Sequence, residues 1–116
     1  MLHLSSSQRY FVYTGITDMR RHFDSLSGMV TSQMNKYVLS GDIFIFLNRR
    51  RNQIKLLQFE GDGFSIYHKR LEKGTYELPY GKDQEVSLSL TYQQLLLILE
   101  GISLRSVKKR PRYSHS

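Results

Sequence analysis

The stretch that decides the fold of this 116-residue chain is residues 46–74, FLNRRRNQIKLLQFEGDGFSIYHKRLEKG. It joins the end of one strand, an arginine-tipped loop, a strand over Gln53 to Glu60, a glycine turn and a strand over Phe64 to Arg70. Because both loops are short, we expect two antiparallel hairpins. The strand that enters this stretch, Ile43 to Leu47, is apolar at every position, which is typical of a central strand covered on both faces.

The N-terminal flank predicts a strand followed by a helix. Arg9 to Tyr13 is aromatic and β-branched, which favours a strand, and Gly15 ends it. Thr17 or Asp18 can then cap a helix. Apolar residues recur at three- and four-residue steps along this helix and give it one buried stripe. The stripe consists of Met19, Phe23, Leu26, Val30 and Met34.

The C-terminal flank predicts further strands and a second helix. Thr75 to Leu78 and Glu85 to Leu90 are candidate short strands. A helix is expected over Tyr92 to Glu100, with Thr91 as its N-cap and Gly101 as its C-cap. The order of elements predicts an α+β fold, an antiparallel sheet of about four to five strands with two helices packed on one face.

Composition and charge set the domain organisation. We expect a flexible lead-in over residues 1–8, a single α+β domain over 9–104 and a basic flexible tail over 105–116. The net charge is +7, and the tail, which has five bases and no acid, leaves the rest of the chain at +2. Such a tail suits a polyanion such as nucleic acid, or serves only to solubilise the chain.

Several classes of site are excluded or unsupported by the sequence. The chain has no cysteine, so disulfides, thiolate zinc sites and cysteine nucleophiles are excluded, and a reducing cytoplasm is the expected location. No apolar run is long enough to cross a membrane, and no signal peptide is visible. There is no phosphate-binding glycine loop, and the histidines lack metal-ligand spacing. We therefore expect no cofactor, no metal and no catalytic residues.

The first hairpin predicts a basic surface. If residues 61–63 form a three-residue turn, Lys55 lies opposite Lys69, and a one-residue change in loop length pairs it with Arg70 instead. Like charges directly opposite each other are destabilising, and a bound anion would offset that cost. The candidate nucleic-acid-binding residues are Arg49, Arg50, Arg51, Lys55, Lys69, Arg70 and Lys73, with Lys108, Lys109 and Arg110 in the tail.

Neighbouring residues leave other interpretations open. Tyr67 and His68 could stack on bases or bond to phosphates. Alternatively, Glu60, Glu72 and Glu77 neutralise the bases on a solvated sheet edge.

The second helix contains five consecutive apolar residues, Leu95 to Leu99. A helix cannot bury five adjacent side chains on one face, because each step turns by about 100°. Leu95, Leu99 and Ile102 suit the domain core. Leu96 or Leu97 could then face a second copy of the chain or another partner, unless the helix is simply enclosed by its own domain.

Motifs spread along the chain resemble the accessory protein (TnpB-type, the second-reading-frame product) of insertion-sequence-66 transposons. The similar segments are 17–20 with 23–26, 44–46, 48–50, 54–55, 61–64, 69–74 and 95–102, and they follow the expected order over about residues 10 to 104. The resemblance implies a small bacterial protein that assists transposition beside a separate, larger transposase. Similar proteins tend to have tryptophan near positions corresponding to Phe59 and Leu78, and this chain has no tryptophan.

The resemblance and the charge pattern together predict a non-catalytic accessory factor for DNA transposition. We expect it to bind transposon-end DNA, the element's transposase, or both. One alternative is a protein–protein adaptor that does not bind nucleic acid. A second is a small basic ribonuclease toxin that uses Arg70, Tyr67, His68 and Tyr113.

Overall fold

The computed structural model describes residues 2–79 and 85–100. Five strands, two helices and one short 3-10 turn follow one another along the chain. They are β1 (Tyr10–Tyr13), α1 (Phe23–Ser32), the 3-10 turn (Val38–Ser40), β2 (Ile43–Leu47), β3 (Gln53–Phe59), β4 (Phe64–Arg70), β5 (Ser87–Leu90) and α2 (Tyr92–Glu100). The Glu85 to Leu90 segment therefore contains a strand, whereas Thr75 to Leu78 does not extend the sheet as predicted.

The strands form one mixed sheet in the order β4-β3-β2-β1-β5. The α+β class and the number of strands are confirmed. Three neighbouring pairs are antiparallel, and β1 with β2 is parallel, with Phe11 beside Phe44. The parallel pair arises because α1 connects the two strands, and a helical crossover returns the chain in the same direction.

The two helices lie on opposite faces of the sheet, so the prediction that both pack on one face is wrong. Side chains alternate between faces along a strand, and β2 contributes to two separate cores. Ile43 and Ile45 pack with Leu95 and Ile98 of α2. Phe44, Phe46 and Leu57 pack with Leu26 and Val30 of α1. The crossover fixes α1 on one face, and α2 covers the apolar face that would otherwise remain open.

The β3–β4 hairpin has a different register from the predicted one. Its loop has two residues, Gly61 and Asp62, rather than three, because the Glu60 N–H donates to the Gly63 carbonyl at 2.8 Å and pairs these two residues. Lys55 consequently lies opposite His68, and neither Lys69 nor Arg70 is its partner. The expected repulsion between directly opposed bases is therefore absent from this ladder.

Helix α1 begins at Phe23, four residues later than its apolar stripe suggested. Neither Thr17 nor Asp18 caps it, because the Asp18 carboxylate accepts hydrogen bonds from the backbone and guanidinium of Arg20. Residues 14–22 are therefore a loop, and Met19 packs beside the core from that loop.

Helix α2 starts where its sequence predicts. The Gln94 N–H donates to the Thr91 hydroxyl at 3.0 Å, and the Thr91 N–H donates to Gln94 Oε1 at 2.9 Å. This reciprocal pair is a capping box. The expected C-cap, Gly101, lies outside the described residues.

Residues near the N-terminus contact the domain core. Leu2 and Leu4 pack against the core beneath α2, and the Tyr10 hydroxyl donates to the Ser5 carbonyl at 2.7 Å. The expected tail over residues 105–116 lies outside the described residues. In the part of the chain that the structure describes, no helix is both long and apolar enough to span a membrane.

Candidate nucleic-acid interface

An open groove of about 1070 Å³ lies where the loop after β1 meets the tip of the β2–β3 hairpin. Because β1 and β2 are parallel, the loops that follow their carboxyl ends emerge at the same edge of the sheet. The end of β4 completes the groove. Five guanidinium side chains from these three segments line it: Arg20, Arg21, Arg49, Arg50 and Arg70. We call this feature the arginine groove.

The first wall is the hairpin tip, residues 48–52, and hydrogen bonds hold its shape. Asn48 Oδ1 accepts from the N–H groups of Asn52 and Gln53, at 3.1 and 3.0 Å. Asn48 Nδ2 donates to Asn52 Oδ1 at 2.7 Å, and the Arg51 N–H donates to the Asn48 carbonyl at 3.1 Å. The amide of Asn48 thus closes the turn, and Arg49 and Arg50 project from a fixed backbone.

Arg51 occupies the left-handed region of backbone conformation, with φ of 55°. Such a conformation favours glycine, because other residues bring Cβ too close to the backbone. The segment 71–76 supports the strained turn from outside, since the N–H groups of Tyr76 and Leu71 donate to the carbonyls of Arg51 and Asn52, each at 2.7 Å. Tyr76 is itself buried, and burial raises the pKa of its hydroxyl.

The second wall is the loop after β1, where an ion pair orders the backbone. Asp18 Oδ2 accepts from Arg20 Nη2 at 2.6 Å, and the hydrogen bonds from Arg20 lower the pKa of Asp18 to about 2. Arg21 Nη1 donates to Ser25 Oγ at 2.5 Å. The N–H of Thr17 donates to the Leu47 carbonyl at 2.9 Å, which ties this loop to the end of β2.

The floor of the groove is polar. His68 Nε2 and Gln53 Oε1 are 2.9 Å apart. Burial lowers the pKa of His68, and the neighbouring charges of Lys55 and Arg70 lower it further. Arg70 also pairs with Glu72 at 3.1 Å, and both side chains are largely exposed. The lowered pKa therefore favours the neutral form of His68 among these cations.

The structure does not bring all the predicted basic residues to one surface. Arg49, Arg50 and Arg70 meet in the groove, whereas Arg51 is exposed outside its lining. Lys69 lies on the other face of the sheet, with its Nζ 3.5 Å from the Leu99 carbonyl. Lys73 is exposed in the 71–76 segment. Lys108, Lys109 and Arg110 lie outside the described residues.

The Lys55 side chain is buried and supports the fold. It is only 4% exposed, and its Nζ donates to the Arg21 carbonyl at 2.7 Å. Burial lowers its pKa. Its alternation in β3 places it on the α1 face beside Leu57, so it anchors the loop after β1 to the sheet from beneath.

The sequence analysis did not identify Arg20 and Arg21, because it began the first helix near Met19 and so included both in that helix. The signal that could have found them is Asp18, two residues before Arg20, where an aspartate favours a local turn over a helix. A second signal is the pair of asparagines that flank the three arginines, Asn48 and Asn52, which are typical of a side-chain-closed turn.

The residues of the alternative ribonuclease site are not brought together in the described part of the chain. Tyr67 alternates onto the face opposite His68 and Arg70, so these three ribonuclease candidates do not share a site, and Tyr113 lies outside the described residues. In α2, Leu96 and Leu97 are half-buried. Residues 2–79 and 85–100 contain no group of three or more histidine, aspartate or glutamate residues placed to hold a metal ion.

The two positions at which tryptophan was expected have packing roles. Leu78 packs against the core beneath α2. The ring of Phe59 lies 5.1 Å from that of Phe64 at the second hairpin. Both positions lie away from the arginine groove.

Comparison with known proteins identifies the family. Residues 8–109 match the family described as IS66 Orf2 like protein. Two curated relatives come from Sinorhizobium fredii. The uncharacterized protein y4hO is 31% identical over 105 residues, which cover 90% of each chain. The uncharacterized protein y4jC is 29% identical over 111 residues, which cover 96% of this chain and 93% of its own. No solved structure matches. The chain therefore belongs to the IS66 Orf2-like family, whose role in transposition is an accessory one.

Proposed function

We propose that this accessory protein binds transposon-end DNA by holding its sugar–phosphate backbone in the arginine groove. One observation carries the proposal: arginines from three separate segments converge on one groove, and Asp18 is the one carboxylate among the described residues that line it. Within the described chain, ion pairs engage Arg20 and Arg70 but not Arg21, Arg49 or Arg50.

Guanidinium groups suit this task because they remain charged and present a planar fork of donors to phosphate oxygens. Cations held close together repel one another unless an anion lies between them. A phosphate backbone supplies that anion repeatedly along its length, and it attracts the protein independently of base sequence. The fixed turn at Asn48 reduces the ordering that binding would otherwise require.

A pair of charge-matched double variants tests the proposal. Arg49→Gln with Arg50→Gln removes two charges from the groove. Arg9→Gln with Lys36→Gln removes two charges from the opposite end of the sheet, where Arg9 pairs with Asp42 at 2.9 Å and Lys36 lies over the Phe11 ring. Duplex affinity would be measured by fluorescence anisotropy across a salt series, and thermal unfolding would confirm that both variants fold.

Each lost phosphate contact reduces the slope of log affinity against log salt by about 0.9. We therefore expect the groove variant to lose roughly two units of slope and the control variant to keep the wild-type slope. Equal slopes for wild type and groove variant would overturn the proposal.

A pull-down with the element's transposase tests the partner. We expect the transposase to be retained when element-end DNA is present, and the groove variant to retain less. Retention without DNA, at high salt and unchanged in the groove variant, would instead favour a protein–protein adaptor.

A further inference from the structure

We infer that the arginine groove takes double-stranded DNA, whose bases remain stacked, and not an unstacked single strand. The inference rests on the proposed function and specifies the class of DNA that this same groove accepts. It follows from which side chains line the groove, and from where the aromatic rings of the domain are placed.

The lining offers no flat apolar ring to a base. Proteins that bind single strands without sequence preference combine a basic groove with aromatic side chains on which successive bases stack. No phenylalanine or tyrosine is among the described lining residues, and the chain has no tryptophan. Among the described lining residues the one aromatic ring is the imidazole of His68, which is hydrogen-bonded to Gln53 and has Lys55 and Arg70 nearby.

The aromatic side chains of the neighbouring segments do not line the groove, and Phe23 packs with His22 at 4.3 Å between ring centroids. Tyr13 packs against Phe46, with 6.4 Å between ring centroids, in the core beneath α1. Tyr67 is on the opposite face of the sheet, and Tyr76 is buried. A single strand in the groove would therefore gain phosphate contacts without the aromatic stacking that usually binds its bases.

The charge arrangement suits a duplex. Double-stranded DNA presents about one negative charge per 1.7 Å of axis, roughly twice the density of one strand. The cations of the groove stand on two walls with fixed backbones, one closed by Asn48 and the other by Asp18. Fixed walls complement a stiff backbone, whereas a flexible strand would lose its own freedom without stacking to offset the loss.

The test uses the full chain and three labelled DNAs of equal length: a 20-base-pair duplex, one of its strands, and polythymidine, which cannot fold on itself. Affinities would be measured by fluorescence anisotropy at several salt concentrations, for wild type and for Arg49→Gln with Arg50→Gln. We expect wild type to bind the duplex at least tenfold more tightly than either single strand. We also expect the double variant to lose about two units of salt slope on the duplex.

The outcomes separate the inference from the proposed function. Single strands that bind as tightly as the duplex, with the same dependence on Arg49 and Arg50, would overturn the inference and leave groove binding of DNA intact. A double variant that binds the duplex like wild type would overturn both. A duplex preference that disappears in the double variant would support both.

Discussion

The β2–β3 and β3–β4 hairpins share strand β3, yet their tips are built from different kinds of residue. The β3–β4 tip, residues 60–63, places Gly61 at φ of 94°, where glycine is favoured. The β2–β3 tip places Arg51 at φ of 55°, although glycine or asparagine would be less strained there. The first tip therefore holds an arginine in a backbone conformation that the second tip gives to glycine.

The two tips also differ in the charges of their side chains. The first tip contributes Arg49 and Arg50 to a groove. The second carries Glu60 and Asp62, and the Ser65 hydroxyl donates to the Glu60 carboxylate. The two tips lie at opposite ends of β3, so Arg49 and Arg50 are separated from Glu60 and Asp62 by the length of that strand.

The largest expected effect is loss of the amide that closes the first tip. Asn48→Ala leaves the N–H groups of Asn52 and Gln53 without their acceptor, and we expect it to cost about 2–3 kcal/mol of unfolding free energy. Ser65→Ala, at the more exposed second tip, should cost less than about 0.5 kcal/mol. Urea denaturation measures both, and equal losses would contradict a difference in how the tips are held.

The second prediction is that removing the charge of Asp18, in the groove wall across from the first tip, increases DNA affinity. Asp18→Asn removes the negative charge from the groove and releases the Arg20 guanidinium, while an amide oxygen can still accept from the Arg20 N–H. One added phosphate contact should steepen the salt slope by about 0.9 and tighten duplex binding about tenfold near 50 mM salt.

Asp62→Asn at the second tip is the matched control for this gain, since it removes the same charge at the far end of the ladder. It should leave the salt slope unchanged. An equal gain in both variants would mean that net charge matters and not the groove.

The third prediction concerns the residue with positive φ in each tip, Gly61 and Arg51. Gly61→Ala introduces strain without a clash, since nothing lies within 4 Å of the added Cβ, and should destabilise the protein by about 1 kcal/mol. Arg51→Gly should relieve strain and stabilise it by about 0.5–1 kcal/mol. Urea denaturation with both variants checks the signs, and an Arg51→Gly protein less stable than wild type would show that the Arg51 side chain itself supports the fold.

The smallest expected effect is a dependence of binding on pH. The pKa of His68 lies below 6.5 in the free protein, so the unfolded chain binds a proton at higher pH than the folded chain. Stability from this group is therefore present above pH 6.5 and is lost as pH falls through the lowered pKa. Lys55, Arg70 and His22 face the imidazole and disfavour its protonation.

A bound phosphate backbone favours the imidazolium and opposes those cations. DNA affinity should therefore rise severalfold as pH falls from about 7.5 to about 5.5. His68→Gln should flatten that profile, as anisotropy at matched salt would show, whereas His22→Gln should flatten it less. An unchanged profile in His68→Gln would exclude His68 as the titrating group.

Much of the fold could be predicted because it follows from local patterns. The bounds of β2 and β4 and the N-cap of α2 were visible in the apolar pattern, the turn residues and the cap chemistry. The face occupied by each helix was not visible, because an apolar stripe shows that a helix packs but not on which side of the sheet. That choice depends on the crossover between β1 and β2, which is a property of topology.

The candidate site was predicted in part for a related reason. Arg49 and Arg50 were found because a short hairpin must expose its tip. Lys55 was misplaced because the loop between Glu60 and Gly63 has one residue fewer than predicted, which changes which residues face each other across the ladder. Arg20 and Arg21 were missed because local hydrogen bonds from Arg20 to the Asp18 carboxylate delay the start of the helix, and periodicity alone does not report such competition.

The parallel pairing of β1 with β2 also bears on the order of folding. The β2–β3–β4 part of the sheet pairs residues that are close in the chain, so it can form early. Strand β1 pairs with more distant residues, since α1 separates it from β2 and Tyr13 pairs with Ser87 of β5, so we expect it to join later. The arginine tip should therefore exist in a nascent chain before the loop after β1 arrives to face it. The groove would be completed in one of the last steps, so an incompletely folded copy of this protein would lack it.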